Sequence, residues 1–467
     1  MYRLVLFVVF ALLLGRQITV AHSAVIVPSD TDARRGSPTP AVILQAAVRN
    51  VRGLIAAVRG LEPVVCGLTA EAASGWGGRS WYNAPSTPLG AETAERVTHF
   101  PRGRLTLAEI RLLIDSLSTT DPCVREVSIR MIGRVNAAAV EEPLISRLDA
   151  ATPLPTREAA ALGLGLVRSK AAVDPLLRTT RDSETGLRAN AVWALGRIGD
   201  KRVASAVRRT LADDEDLVRG AAAGALGSLD DQESVEDLLR VLRSDPAANV
   251  RRIAAWALGT IEAREAAEGI VTALRSERDE DVREMCVWAL GNIEARTSVA
   301  ALTELLRRDT NDEVREMAAW ALGEIEDAAA VAALGEAAGG DSGAEVRGTA
   351  AWALGQIATG EAPAGLLRAV NDADEEVRTK AAWALSEIGD SNAVSALRQA
   401  LRTEKDATAR KAQLRALVRS GERSEEFFRD LLRSEDPDVR AEAVRGMAGR
   451  GHSSPWPWPM PRPRPFP

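Results

Sequence analysis

One frame recurs down most of this chain, and it limits the possible folds more than any other feature. Its most legible part is the tetrapeptide Trp-Ala-Leu-Gly, found at Trp193 to Gly196, Trp256 to Gly259, Trp288 to Gly291, Trp320 to Gly323 and Trp352 to Gly355, and once ending in serine at Trp383 to Ser386. Each copy follows an acidic turn, a Val-Arg pair and an Ala-rich run, as in Asp312-Glu313-Val314-Arg315 through Ile325. The arginine of Val-Arg, or its equivalent, falls at 125, 157, 188, 219, 251, 283, 315, 347, 378, 410 and 440, at intervals of 30 to 32 residues. A period of that length marks a stacked array, in which each unit buries its apolar face against its neighbours. Eleven such units follow, from Leu105 to Gly451.

Each unit has room for two helices of about 12 residues and two short turns. Composition agrees: the chain is rich in Ala, Leu, Arg and Glu, is 4% aromatic and has few β-branched runs. The turn before Val-Arg supplies helix caps. Asp121-Pro122 and Asp436-Pro437 place a capping aspartate ahead of a proline at the first helical position, and Asp279, Asn311 and Asp374 hold the same capping place. The second helix of each unit therefore starts just before its arginine. With that arginine as position zero and about 100° per residue, Val at −1, Ala at +3, Ala at +6, Leu at +7 and Ile at +10 share one sector, the face toward the first helix. The arginine and the small residue at +4 flank this sector on one side, and +2 (Ile253, Met285, Met317) flanks it on the other. Both flanks are expected to meet neighbouring units.

The frame Asp-x-x-Val-Arg-x-x-Ala-x-x-Ala-Leu-Gly-x-Ile resembles the HEAT-like repeat of phycobilisome lyases, which also occurs widely in bacterial proteins unrelated to bilins. The resemblance covers roughly Leu105 to Gly451. It implies an all-α fold, a right-handed α-solenoid of about eleven helix-pair repeats with the second helices on its concave side. It implies no particular activity, because fold does not determine function. Some units depart from the pattern: Leu162 and Gly224 stand in the Trp slot of the units at Arg157 and Arg219, and the units at Arg410 and Arg440 lose the Leu-Gly pair. Terminal units are expected to be atypical because they cap the array.

The tryptophan at +5 lies about 140–145° from the centre of its own unit's core face, in company with +1, +9 and −2, which carry Glu284, Glu316, Asn292, Glu324, Asp281 and Glu313 among others. On this reading Trp193, Trp256, Trp288, Trp320, Trp352 and Trp383 form an outward row that binds a protein or peptide partner, since contiguous exposed aromatics mark interaction sites. A second reading, compatible with the first, lays each ring across the groove between adjacent second helices, over small residues. The Gly residues at +8 sit inside helices, where each costs up to ~1 kcal/mol relative to Ala, and close approach of a neighbouring helix accounts for them. A charge recurring in every unit, as the arginine does, reads as a ladder that holds units in register.

The ends of the chain differ from the array. Met1-Tyr2-Arg3, the apolar run Leu4 to Leu14 and the small residues of Ala21-His22-Ser23 read as a signal peptide over residues 1–23, so a periplasmic or secreted protein is expected, with an uncleaved anchor as the alternative. Eleven apolar residues are too few to span a bilayer, which needs roughly 20. Loss of Arg3 and Arg16 would take the formal charge from −6 to about −8. Residues 24–40 read as a linker, and residues 41–104 as an N-terminal helical cap with a Gly/Trp-containing loop. Residues 452–467 read as a disordered Pro-rich tail, since proline at every second position forbids helix. Docking of that tail on the chain's own Trp row, or Trp and Arg seeking a membrane interface, are further readings.

Catalytic chemistry finds little support. Only His99 and His452 lie beyond the signal segment, and there is no His-Glu-x-x-His, no Cys-x-x-Cys and no phosphate-binding glycine loop after a strand. No metal site or cofactor is expected. Cys66 and Cys123 could pair in an oxidising compartment, while Cys286 replaces a small core Ala and reads as a buried thiol. Near-balanced and interspersed charge argues against nucleic acid as a partner. The expected function is a non-catalytic exported scaffold or adaptor. A regulatory or assembly subunit of a membrane complex is the alternative, and a bilin lyase-like enzyme a weaker one.

Overall fold

The computed structural model describes residues 105–447, except 423, 435 and 436, together with Val51 and Ile55. The signal segment, the linker, the Gly/Trp loop, Cys66, the side chain of Cys123, the Asp436 cap and the Pro-rich tail lie outside the described residues. Within them the chain forms eleven helix pairs in sequence order. They are α1 (Leu107–Ser116) and α2 (Pro122–Ile132), α3 (Glu141–Ser146) and α4 (Leu154–Leu166), α5 (Val173–Thr179) and α6 (Thr185–Ile198), α7 (Ala204–Arg209) and α8 (Asp216–Leu229), α9 (Val235–Ser244) and α10 (Ala248–Thr260). There follow α11 (Ala267–Leu274) and α12 (Glu280–Asn292), α13 (Val299–Arg308) and α14 (Asp312–Ile325), α15 (Val331–Gly340) and α16 (Ala344–Ile357), α17 (Ala364–Ala369) and α18 (Glu375–Ile388), α19 (Ala393–Thr403) and α20 (Ala407–Arg419), α21 (Glu425–Leu431) and α22 (Pro437–Met447). Odd-numbered helices form one row and even-numbered helices the other, the arrangement of an all-α solenoid.

The core runs between the two rows. In the unit of Arg315 the sector read from the sequence is buried as a block: Val314, Ala318, Ala321, Leu322 and Ile325 are at most 3% exposed. Facing them, Leu302 and Leu306 of α13 are closed from solvent. The caps are placed as their residue types require. Asp279 accepts the N–H of Val282, Asn311 those of Glu313 and Val314, and Asp374 those of Glu376 and Val377, each satisfying amides that the first helical turn leaves unpaired. Asp121 does the same for Val124 at 3.2 Å.

The two helices of a unit differ in length, against the expectation of about 12 residues each. Second helices of the middle units run 13 or 14 residues, whereas first helices run 6 to 11. The difference comes from the reversal between units. At +11 of nine consecutive units the chain takes a left-handed conformation, at Arg168, Gly199, Asp230, Glu262, Glu294, Glu326, Ala358, Gly389 and Gly421. This residue closes the second helix, and in most units a single 3₁₀ turn, such as Arg296–Ser298, then carries the chain into the next first helix. Six of those nine positions are not glycine and carry backbone strain. No helix among the described residues is long and apolar enough to cross a membrane.

Candidate interaction face of the second helices

The junction between successive second helices explains the tetrapeptide. A Cβ placed on Gly323 would lie 2.7 Å from Cζ3 of Trp352, 2.9 Å from the Ala353 Cβ and 3.1 Å from the Ala353 Cα. Gly259 meets Trp288 and Ala289, Gly291 meets Trp320 and Ala321, and Gly355 meets Trp383 and Ala384 in the same way. Each +8 glycine thus lets the next unit's +6 alanine approach to backbone contact and seats the edge of that unit's indole. Gly165 with Trp193 and Gly227 with Trp256 extend the series.

The expectation of an outward tryptophan row is corrected by this geometry. Trp288, Trp320, Trp352 and Trp383 are 7%, 8%, 1% and 3% exposed, and Trp193 and Trp256 are half-buried. The wheel angle is right for one helix, since the rings do point away from their own unit's core. Parallel helices pack only about 8–10 Å apart, however, so a side chain as long as Trp reaches the preceding helix before it reaches solvent. The reading that lays each ring over small residues between adjacent helices is the one the burial supports. At Trp193 the guanidinium of Arg197 also stands 5.9 Å from the ring centroid.

The repeat arginines form a continuous ladder. Arg315 donates from Nε and Nη2 to the two carboxylate oxygens of Asp341 at 2.8 and 2.9 Å, and from Nη1 to the carbonyl of Asp309 at 2.9 Å. Asp309 itself receives Arg283, and the Asp341 carbonyl receives Arg347 at 2.9 Å, so each acid is held by one arginine through its side chain and by the next through its backbone. The rungs Arg157–Asp182, Arg188–Asp213, Arg219–Asp245, Arg251–Glu277, Arg347–Asp372 and Arg378–Glu404 complete the set. Burial alone would push the Asp341 carboxyl up. The hydrogen bond and charge of Arg315, with the Gly343 N–H, outweigh it and hold the group below the usual carboxylate range. Planar two-point pairing of this kind selects arginine over lysine. The ladder's acids, 25 or 26 residues after each arginine, were missed as specific partners in the sequence, although that spacing is regular enough to find them.

What remains on the outer face is charge. In the four units of Arg283, Arg315, Arg347 and Arg378, positions −2, +1 and +9 hold Asp281, Glu284, Asn292, Glu313, Glu316, Glu324, Glu345, Gly348, Gln356, Glu376, Thr379 and Glu387. Eight of these twelve are carboxylates and none is Lys or Arg, so the stretch presents one sign. Asp281, Glu345, Glu376 and Glu387 are exposed, and Glu284, Glu313, Glu316 and Glu324 half-buried. Glu376 pairs with Lys380 and Glu387 with Arg419, both at 2.8 Å. Cations bound the stretch on either side, Arg197 and Arg252 before it and Lys411 and Arg419 after it. The segregation is visible in the sequence only when the three outward positions are taken in register across all units.

Other chemistry is sparse. Cys286 is fully buried, and burial raises its thiol far above the ordinary range, which leaves no thiolate for reaction. No group of three or more His, Cys, Asp or Glu among the described residues could hold a metal ion. A cleft of about 250 Å³ is lined by Asn371, Asp372, Arg378, Thr403, Glu404 and Lys405 among others. Its Arg378 and Glu404 are bound to each other, and its Asp372 is bound to Arg347, all as rungs of the ladder.

A family model described as HEAT repeats matches residues 141–226, 175–259, 210–283, 267–355 and 340–418. No curated protein matches the chain. Among solved structures, importin β in an ammonium sulfate condition is similar at 14% identity over 88% of this chain and 65% of that one, with a TM-score of 0.56. Yeast importin β (Kap95p) is similar at 15% identity over 88% and 68%, with a TM-score of 0.50. The complex of CpcE and CpcF of phycocyanin lyase from Nostoc sp. PCC7120 is similar at 24% identity over 46% and 86%, with a TM-score of 0.32. The chain spans 62% of the matched chain in the structure concerning Kap95p and RanGDP, less than two thirds. At these identities the likeness to the importin β structures is one of fold.

Proposed function

This chain belongs to the HEAT-repeat family, and we propose that it is a non-catalytic scaffold that binds a basic protein segment on the acidic stretch of its second helices. The observation that carries the reading is the run of eight carboxylates without a cation at the outward positions of four consecutive units. A surface of one sign on a rigid support draws an oppositely charged partner and fixes its register, with an on-rate that falls as salt rises. The support is rigid for a stated reason, since buried indoles and ladder arginines join each unit to the next. The apolar run Leu4 to Leu14 behind a basic start favours a place of action outside the cytoplasm.

The test is capture of partners by the full chain against a triple variant, Asp281→Asn, Glu345→Gln and Glu387→Gln, alongside binding of a labelled arginine-rich peptide at two salt concentrations. All three changes fall on exposed residues. Loss of peptide and partners together, with an unchanged melting curve, supports the reading. Binding that survives both the substitutions and high salt overturns it. Partners recovered only from solubilised membranes would make the chain a subunit of a membrane complex using the same face.

A further inference from the structure

A cation of the chain's own is seated inside the acidic stretch. Lys380, at +2 of the unit of Arg378, is 2% exposed, and its Nζ pairs with Glu376 at 2.8 Å. The same place holds Ile253, Met285 and Met317 in the units of Arg251, Arg283 and Arg315, so elsewhere an apolar side chain serves there. A side chain at +2 covers the +1 place of the preceding unit, as Ile253 does with its Cδ1 lying 3.3 Å from where a Gly220 Cβ would be. Lys380 covers Gly348 in that way: a Cβ on Gly348 would meet the lysine Cδ at 3.1 Å and its Nζ at 3.3 Å.

Gly348 is the point at which the outward row at +1 loses its carboxylate, after Glu284 and Glu316. The turn under Lys380 is polar and incompletely satisfied. Thr349 and Trp352 are 0% and 1% exposed, and neither Thr349 Oγ1 nor Trp352 Nε1 has a hydrogen-bond partner among the described residues. A long helical side chain leans over the turn before its own Cα, so the indole of Trp352 lies toward Gly348 and Thr349. Its Cζ3 edge rests on Gly323 of the preceding helix, which leaves Nε1 at the opposite edge of the ring system. Buried polar atoms without partners are costly, and the lysine, with its ammonium on Glu376, meets neither of these two. Arginine suits the set better. Its guanidinium offers five donors in a planar fork, enough for a carboxylate and a threonine oxygen together, and the main-chain carbonyl beside it can accept an indole N–H.

We infer that Lys380 is a displaceable cover over a seat for one arginine of the partner segment, formed by Glu345, Gly348, Thr349, Trp352 and Glu376. The arginine takes over Glu376 and Thr349 Oγ1, and the released lysine turns to solvent. The missing side chain at Gly348 lets the segment's main chain come within reach of Trp352 Nε1. Glu345, exposed one turn before Gly348 on the same helix, supplies a second carboxylate. The inference rests on the reading that a basic segment binds the acidic stretch, and it assigns one contact of that segment.

Amine labelling of the full chain, read by mass spectrometry, tests it. Saturation with the arginine-rich peptide is expected to raise the reactivity of Lys380 about tenfold or more, as a closed group becomes open, and to leave the exposed Lys201 unchanged. Lys380→Met, which keeps a stem over Gly348 and removes the competing ammonium, should bind the peptide about fivefold more tightly. Trp352→Phe should bind it about threefold more weakly, since only the N–H is lost from a ring that stays in place. A peptide that binds without raising Lys380 reactivity overturns the inference and leaves the acidic stretch as the docking face. Weaker binding to a folded Lys380→Met also overturns it, because the lysine then supports the face instead of covering it. A peptide that binds neither the chain nor Lys380→Met removes the acidic reading and this one together. The labelling uses the unaltered chain, so it decides the matter even where Lys380→Met does not fold.

Discussion

Two junctions of the array differ by one residue type. Between the units of Arg315 and Arg347, Gly323 faces Ala353 and the edge of Trp352; between the units of Arg188 and Arg219, Gly196 faces Ala225 alone, because the Trp slot holds Gly224. The Ala225 Cα lies 2.7 Å from where a Gly196 Cβ would be, the Ala353 Cα 3.1 Å from the corresponding point on Gly323. Both junctions carry a ladder rung, Arg188–Asp213 and Arg315–Asp341. The comparison separates the parts of the motif. Glycine and alanine set the helix spacing with or without an indole, the arginine holds register in both, and the tryptophan adds buried area where it is present.

The largest expected effect comes from removing the ring. Trp352→Ala should cost about 3–5 kcal/mol by chemical denaturation, the range for truncating a buried aromatic. Trp352→Phe should cost much less, because the buried Trp352 Nε1 has no hydrogen-bond partner among the described residues. A mild Trp352→Ala would show that the indole is decoration and that both junctions rest on Gly and Ala alone. Next come the rungs. Arg315→Met and Arg188→Met should each cost about 2–3 kcal/mol at neutral pH, equally at the two junctions, since each removes charge-assisted hydrogen bonds. Asp213 and Asp341 both have lowered folded-state values, set against burial by the arginine contacts. Their contribution is present above the unfolded carboxylate range and is lost as pH falls through the folded values. The penalty of either substitution should therefore shrink in acid, and a penalty independent of pH would contradict the ladder.

A smaller effect is expected where the junctions differ most. Gly323→Ala should cost about 1–2 kcal/mol, the strain of overpacking partly offset by better helix propensity. The cost should fall when combined with Trp352→Ala. Gly196→Ala should cost more than Gly323→Ala, because its clash is with backbone and no ring can tilt away. Equal costs, or no coupling in the double variant, would mean that the ring does not rest on Gly323. The smallest effect is a gain. Glu262 holds a left-handed conformation at φ 54°, where the unit of Arg188 has Gly199, and Glu262→Gly should add about 0.5–1 kcal/mol.

Much of this could be read from the residues in order. The period, the helix pairs, the buried sector from Val314 to Ile325 and the caps at Asp279, Asn311 and Asp374 depend on contacts within a unit, and residue spacing reports those directly. The arginines were legible as a ladder, and Gly323 and its equivalents as points of close approach. The tryptophans were misplaced in one respect: their angle was right, but the surface beyond them was not open. The acidic stretch was half seen, with Asp281, Glu284, Glu313, Glu316 and Glu324 recognised as outward but not as one run continuing through Glu345, Glu376 and Glu387.

By itself the sequence determined that this protein is a repeating array of paired helices, which side chains face each unit's own core and which charge recurs to link the units. Those properties are local, or lie one period away, so periodicity carries them. Tertiary structure alone decided what a side chain pointing away from its own core would meet. That outcome depends on the distance to the next helix compared with the length of the side chain. The indole spans the gap and is buried, while the carboxylates beside it stay partly or wholly in solvent.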